Sequence, residues 1–260
     1  MATMPEAFRE DFGSADVAAR IHEQLDKAPP FVLLDGFLRE GAAGLEPAYL
    51  EWQTFPAYPA TAINALEALN EAHPGLEALG AGFSPVAGES LSQLRARVRA
   101  DLVRGVEEDP RLGVVIDFEP KAQETNFEFR MQVALTGGSE RGLGVIDPRE
   151  IRYEEGRAHY RRGDQLLPIR TVFSRLVPYE AAEKLLPISS PEERATLRRF
   201  FADVSLDWRV HPLHFFYGSK ADLPRFRAKR LSPYIPACEL VTAEYIAAAR
   251  REGWERISGR

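Results

Sequence analysis

Short apolar runs alternate with helix-length amphipathic patterns along the first half of the chain. FVLLDGF at residues 31–37 and AYLEWQTFPAYP at residues 48–59 predict two strands, because apolar and aromatic residues are bounded there by turn signals. Two helical patterns follow, ATAINALEALNEAH (60–73) and SLSQLRARVRADLVRGV (90–106). Ser90 and Gln93 have the spacing of a capping box at the start of the second helix.

A strand–helix–strand pattern lies in the middle of the chain. LGVVIDFEP (112–120) is a continuous apolar run of the kind that is buried on both faces of a parallel sheet. KAQETNFEFRMQVALTGG (121–138) predicts a helix, with Thr125 and Glu128 as a capping box and Gly137 as C-cap. GLGVID (142–147) predicts the next strand. The pattern is typical of a βαβ unit and predicts neighbouring parallel strands in a doubly wound α/β sheet.

Acidic residues follow both strands of this unit. Asp117 and Glu119 end the first strand, and Asp147 ends the second. Ligands of doubly wound sheets bind beyond the carboxyl ends of the strands. These three carboxylates therefore lie where a ligand is expected, and an α/β enzyme that uses Asp117 and Glu119 as acids is one hypothesis.

The second half of the chain changes in character. IRYEEGRAHYRRGDQLLPIRTVFSR (151–175) alternates and contains turn signals, which predicts an antiparallel hairpin or three-stranded meander. SSPEERATLRRFF (189–201) predicts a helix with Ser190 and Glu193 as capping box. TAEYIAAARREGW (242–254) predicts a last helix. No repeat or long linker divides the chain, so we expect a single α/β domain over residues 1–260.

Composition narrows the class of protein. Of the 260 residues, 45% are hydrophobic, and the formal net charge is −6, which favours a globular protein without the basic surface of a nucleic-acid binder. The single cysteine, Cys238, cannot form an internal disulfide. We see neither a signal-peptide pattern nor an apolar run of membrane-spanning length, so we expect a cytoplasmic protein with no membrane partner.

The stretch HPLHFFYGSK (211–220) concentrates polar chemistry. His211 and His214 could share a helix face as metal ligands, but the HExxH pattern and a third ligand are missing, so we predict no metal site. Ser219 and Lys220 are adjacent and rarely face each other as nucleophile and base would. The alternative is that this stretch has only a structural role, with the histidines at the packed end of a helix and Lys220 on the surface.

Several motifs in a fixed order resemble the substrate half of circularly permuted ATP-grasp and glutathionylspermidine synthetase-like ligases. They are LEWQTFP, VVIDFEPKAQETNFEF, DPREIRYEEGRAHYRRGDQLLPIRTVFSRLVP and HPLHFFYGSKADLP, which together run from about residue 45 to about residue 236. The resemblance implies a Rossmann-like pre-ATP-grasp domain with a mostly parallel sheet, flanking helices and the antiparallel meander. His214 departs from the family, where an aromatic residue usually stands.

The resemblance also implies a function. The domain would hold a small carboxylate or amine substrate against ATP and magnesium bound by an ATP-grasp half, and this chain would contain neither cofactor. Only 24 residues follow Pro236, too few for that half. The chain would therefore be a fragment, a truncated relative, or a domain whose partner half lies on another chain, and the partners to consider are an ATP-grasp half or a second copy in a homo-oligomer. We expect it to release no ADP from Mg-ATP alone, because phosphoryl transfer requires several positioned cations.

The implied substrate contacts come from distant segments, and the resemblance identifies no catalytic residue. Arg175 follows an apolar strand, where burial of its charge calls for an acidic partner or an anionic ligand. Four of the implied contacts are expected to converge on one concave face: Glu51, Gln53, Arg175 and Lys220. His211 and Ser219, with Lys220, are expected on the substrate side of the cleft. The rival hypothesis is a stand-alone binding or assembly module that keeps the fold and has lost catalysis.

Overall fold

The computed structural model describes residues 33–41, 44–53, 59–72 and 90–212. The chain forms two compact units, and residues 34–41 and 44–52 are the described part of the smaller one. Strands β1 (Leu33–Gly41) and β2 (Gly44–Gln53) pair as a two-stranded sheet, which confirms a strand in each predicted segment. The predicted bounds are wrong, because β1 continues through Asp35-Gly36, and β2 ends at Gln53 although its predicted segment runs to Pro59. The single domain over 1–260 stays a prediction.

A four-stranded parallel sheet is the centre of the larger unit. Its strands, in spatial order, are β4 (Gly144–Ile146), β3 (Gly113–Ile116), β8 (Thr171–Ser174) and β9 (Asp207–Val210). All three strand pairs are parallel. From β3 the chain moves outward to β4, then returns to the other side of β3 for β8 and β9. The direction of winding therefore reverses between β3 and β8.

Helices connect and cover these strands. Their bounds are α1 Pro59–Ala72, α2 Leu91–Val103, α3 Asn126–Thr136, α4 Gly138–Arg141, α5 Pro178–Glu180, a π-helical turn Ala181–Leu185, α6 Leu186–Ile188 and α7 Pro191–Phe201. Because α3 and α4 link β3 to its parallel neighbour β4, the predicted βαβ unit is confirmed. None of the described helices has the length and apolar character needed to cross a membrane.

Two apolar cores lie on opposite faces of the parallel sheet. Val115 and Phe173 pack on one face with α1, α2 and α3. Val114 and Val172 pack on the other face with the second half of the chain, including α7. All four residues of β3 are buried, as the continuous apolar run predicts for a strand covered on both sides.

The predicted meander is present but shorter than its sequence pattern. Strands β5 (Arg152–Glu154), β6 (Arg157–Arg162) and β7 (Gln165–Pro168) form an antiparallel three-stranded sheet. The end of the same pattern, β8, leaves this sheet and pairs in parallel with β3. The four residues of β8 are buried, which explains why the segment belongs to the core sheet and not to the meander.

The helix caps confirm the sequence patterns with one exception. The capping boxes at Ser90 and Ser190 are formed, and Gly137 is the C-cap of α3, with a φ of 134°. The predicted box of Thr125 and Glu128 is wrong, because the Thr125 side chain makes no capping hydrogen bond. The Glu128 side chain is instead fully buried and turned toward a different helix.

The carboxylate of Glu128 caps α1. It accepts hydrogen bonds from the backbone N–H of Ala60 (3.2 Å) and of Thr61 (2.8 Å) and from the Thr61 hydroxyl. Gln132 Nε2 donates a further bond of 2.8 Å. A buried carboxylate at a helix N-terminus satisfies free N–H donors and interacts favourably with the helix dipole. Glu128 therefore fixes α1 against α3.

Candidate functional site

Two opposite charges stand side by side where the winding of the sheet reverses. Ile116 pairs with Ser174 in the β3–β8 register, so the next residues, Asp117 and Arg175, leave neighbouring carboxyl ends together. The Arg175 N–H still donates to the Ile116 carbonyl oxygen at 2.9 Å. Asp117 is 4% exposed and Arg175 is 8% exposed. In open α/β sheets this is the position at which ligands bind.

Asp117 is a carboxyl whose ionisation is unfavourable. Burial raises its pKa to about 6, against the opposing effects of the Arg175 charge and of the Phe118 N–H, and the nearby charges of Glu180 and Asp147 raise it further. The Phe118 N–H donates to Asp117 Oδ1 at 2.9 Å. Perturbed pKa values of this kind are concentrated at functional sites.

Arg175 is held between the sheet and α3. Its guanidinium lies 4.9 Å from the centroid of the Phe129 ring, within the range of a cation–π contact. The positive charge of Arg175 acts to lower the pKa of the neighbouring Asp117 carboxyl, against the larger effect of burial. The planar guanidinium is therefore fixed at the carboxyl edge of the sheet, in a form suited to recognising a carboxylate.

Asp147, at the end of β4, organises the loop after β3. Its carboxylate accepts bonds from the Glu119 N–H (2.8 Å), the Arg149 N–H (2.9 Å) and two guanidinium nitrogens of Arg149 (2.8 Å each). Burial acts to raise the pKa of Asp147, but the hydrogen bonds from Arg149 and Glu119 outweigh it and hold the pKa below its usual value. Glu119 has a positive φ of 44°, a conformation that this bond supports.

The remaining residues of the predicted site are placed as follows. Glu51 and Gln53 lie two positions apart in β2, as a common strand face requires. His211 directly follows β9, is 2% exposed, and its Nε2 lies 3.1 Å from the Phe201 carbonyl oxygen. Its ring packs edge-to-face on Trp208 at 4.5 Å. The substrate contacts predicted for these three residues stay predictions.

His214, Ser219 and Lys220 lie outside the described residues, as does the predicted helix at 242–254. The convergence of Lys220 with Arg175 therefore stays a prediction too. Of the predicted substrate contacts, the structure puts Arg175 beside a second charged group of the carboxyl edge, Asp117.

Sequence reasoning missed that Asp117 and Arg175 follow neighbouring strand ends, and that the Phe129 ring lies beneath the arginine. The sequence contains a pattern that could have predicted this adjacency, because GVVID and TVFSR are both short buried-strand patterns that end in a charged residue. Two such runs in one parallel sheet bring their terminal charges to the same edge.

Neither a search for metal ligands nor comparison with known proteins assigns a function to this site. Within residues 33–41, 44–53, 59–72 and 90–212, no group of three or more His, Cys, Asp or Glu side chains could hold a metal ion. No protein-family model matches the chain, and the comparison with curated proteins found no relative.

Proposed function

We propose that this chain is the substrate-binding half of an ATP-dependent carboxylate–amine ligase-like protein and that it binds a small carboxylate or amine. One observation carries the proposal. Asp117 and Arg175 are both buried and adjacent at the carboxyl ends of β3 and β8, where the winding of the sheet reverses. Ligands of open α/β sheets bind at this position.

The two charges divide the recognition of such a substrate between them. The Arg175 guanidinium offers parallel N–H donors to a carboxylate, and its stacking on Phe129 limits the rotamer entropy lost on binding. Asp117 offers a carboxylate to an ammonium group. A substrate that carries both groups, such as an amino acid, would satisfy both residues in one pose.

The ligase-like class is supported by the order of the sequence motifs that resemble such ligases. VVIDFEPKAQETNFEF contains Asp117, and the hairpin segment ends just beyond Arg175. Two of the resembling segments therefore supply the two charges of the site. Binding of substrate is also the step that a non-catalytic relative would retain, so it is tested first.

Calorimetric titration at low salt tests the proposal, with acetate, glycine, glutamate, putrescine and spermidine as probes. We expect saturable binding of at least one carboxylate or amine. Arg175→Met should abolish carboxylate binding, and Asp117→Asn should reduce binding of ammonium-bearing probes selectively. Arg161→Met is the control, since Arg161 is exposed on β6.

The proposal is wrong if no probe binds the wild-type protein, or if Arg175→Met and Arg161→Met bind carboxylates equally well. Circular dichroism of each variant shows whether the fold is retained. If Arg175→Met fails to fold, Asp117→Asn, which preserves side-chain size, still separates ammonium-bearing probes from acetate.

A further inference from the structure

A groove of about 490 Å³ runs along α3, on the face of the molecule near β4. Its size lies in the range of small-molecule sites. Apolar side chains of α3 form one wall, and Val145 of β4 adds to it. The lining residues that matter for binding are Lys121, Asn126, Phe129, Arg130, Val133 and Val145.

The groove has a rigid apolar surface. Phe129 is 3% exposed, and its ring is held by the contact with the Arg175 guanidinium. Val133, Ala134 and Val145 continue this surface. An apolar body placed there would contact carbon atoms that are already fixed by packing, so that its burial would be favourable without a large ordering cost.

Positive charge stands at the rim of the groove. Lys121 and Arg130 are exposed lining residues, and the described lining includes no acidic residue. Within the part of the chain that the structure describes, neither the Lys121 ammonium nor the Arg130 guanidinium makes a hydrogen bond or ion pair. Asn126 and Ser139 add hydrogen-bonding groups. The charge of the groove is therefore complementary to an anion.

We propose that this groove binds a small organic anion with an apolar body, of the aryl or alkyl carboxylate or sulfonate class. The apolar body lies along Phe129, Val133 and Val145, and the anionic group is recognised by Lys121 and Arg130. The groove shares the Phe129 ring with the proposed substrate site, but Asp117 and Arg175 do not line it. The residues changed to test the groove are Lys121, Arg130 and Ala134, which are not part of the substrate site. Its test can therefore succeed or fail independently.

Fluorescence titration with two dyes tests the site. 8-Anilinonaphthalene-1-sulfonate is the anionic probe, and N-phenyl-1-naphthylamine has the same aromatic body without the sulfonate. We expect the double variant Lys121→Glu/Arg130→Glu to bind the anionic dye at least about fivefold more weakly, since each exposed ion pair contributes about 0.2–1 kcal/mol and reversal adds repulsion. Binding of the neutral dye should change less than about twofold.

Two further variants locate the dye. Ala134→Trp fills the groove from an exposed position on α3 and should weaken both dyes. Arg161→Glu removes an exposed cation outside the described lining and should leave both unchanged. Circular dichroism confirms that each variant is folded.

The proposal is overturned if the wild-type protein does not bind the anionic dye. It is also overturned if folded Ala134→Trp binds both dyes as the wild type does, or if Arg161→Glu weakens the anionic dye as much as the double reversal. A loss of dye binding in Arg175→Met, with the double reversal unchanged, would assign the dye to the edge of β3 and β8 and overturn the groove.

Discussion

Replacing Asp117 with asparagine should stabilise the protein at neutral pH. Asp117 is 4% exposed, and burial raises its pKa from 3.8 to about 6. Asparagine has nearly the same shape and keeps an oxygen that can accept the Phe118 N–H, but it carries no charge. The variant therefore removes the cost of ionising a buried carboxyl while preserving the local hydrogen bond.

The size and pH dependence of the effect follow from the pKa. Because the folded pKa lies above the unfolded one, the native state binds more protons between about pH 4 and pH 6, and stability falls as the pH rises through this window. A difference of about two pH units corresponds to about 3 kcal/mol. We expect Asp117→Asn to gain up to about 3 kcal/mol at pH 7, or about 6–12 °C in Tm, and almost nothing near pH 4.

Urea unfolding of both proteins from pH 4 to pH 8 measures this difference. Asp147→Asn is the matched control, and its effect on stability at pH 7 should have the opposite sign. The pKa of Asp147 lies below its usual value, so its contribution to stability is present above about pH 4 and is lost as the pH falls through the folded pKa. That variant should lose about 1–3 kcal/mol at pH 7. A pH-independent effect of Asp117→Asn, or a destabilisation at pH 7, would refute the reasoning.

Two other substitutions, one of them with a control variant, test the packing of the larger unit. Glu128→Ala should cost about 3 kcal/mol, because it leaves the N–H groups of Ala60 and Thr61 without their acceptor, whereas Thr125→Ala should cost less than about 0.5 kcal/mol. Equal losses in urea unfolding would contradict the assignment of the cap. Gly144→Ala should cost about 1–3 kcal/mol, since its Cβ would lie 2.7 Å from the buried Tyr160 ring, and an unchanged Tm would show that the ring can yield.

Local patterns predicted local structure well. The boxes at Ser90 and Ser190 depend on atoms three residues apart, and both are formed. Glu128 has the same spacing from Thr125, yet its carboxylate caps α1 by accepting hydrogen bonds from Ala60 and Thr61, which are 68 and 67 residues away in the sequence. Sequence spacing cannot show which of two helices a buried acceptor will satisfy, since tertiary packing decides this.

Strand pairing was predictable only where the intervening chain constrained it. The helix between β3 and β4 indicates a parallel pair, and this pair is present. The TVFS segment follows a meander, so alternation favoured a further antiparallel strand, and the β3–β8 pair went unpredicted. The adjacency of Asp117 and Arg175 could therefore not be predicted either. These residues are 58 positions apart in the sequence and are brought together only by the register of the β3–β8 pair.

The most direct test of the central claim is the position of a bound carboxylate. A crystal structure of the wild-type protein, grown with a saturating concentration of whichever carboxylate binds in the calorimetric titration, would show it. We predict a carboxylate within hydrogen-bond distance, about 3 Å, of the Arg175 guanidinium, at the carboxyl ends of β3 and β8. A carboxylate bound elsewhere, with the Asp117–Arg175 edge contacting no ligand, would contradict the account.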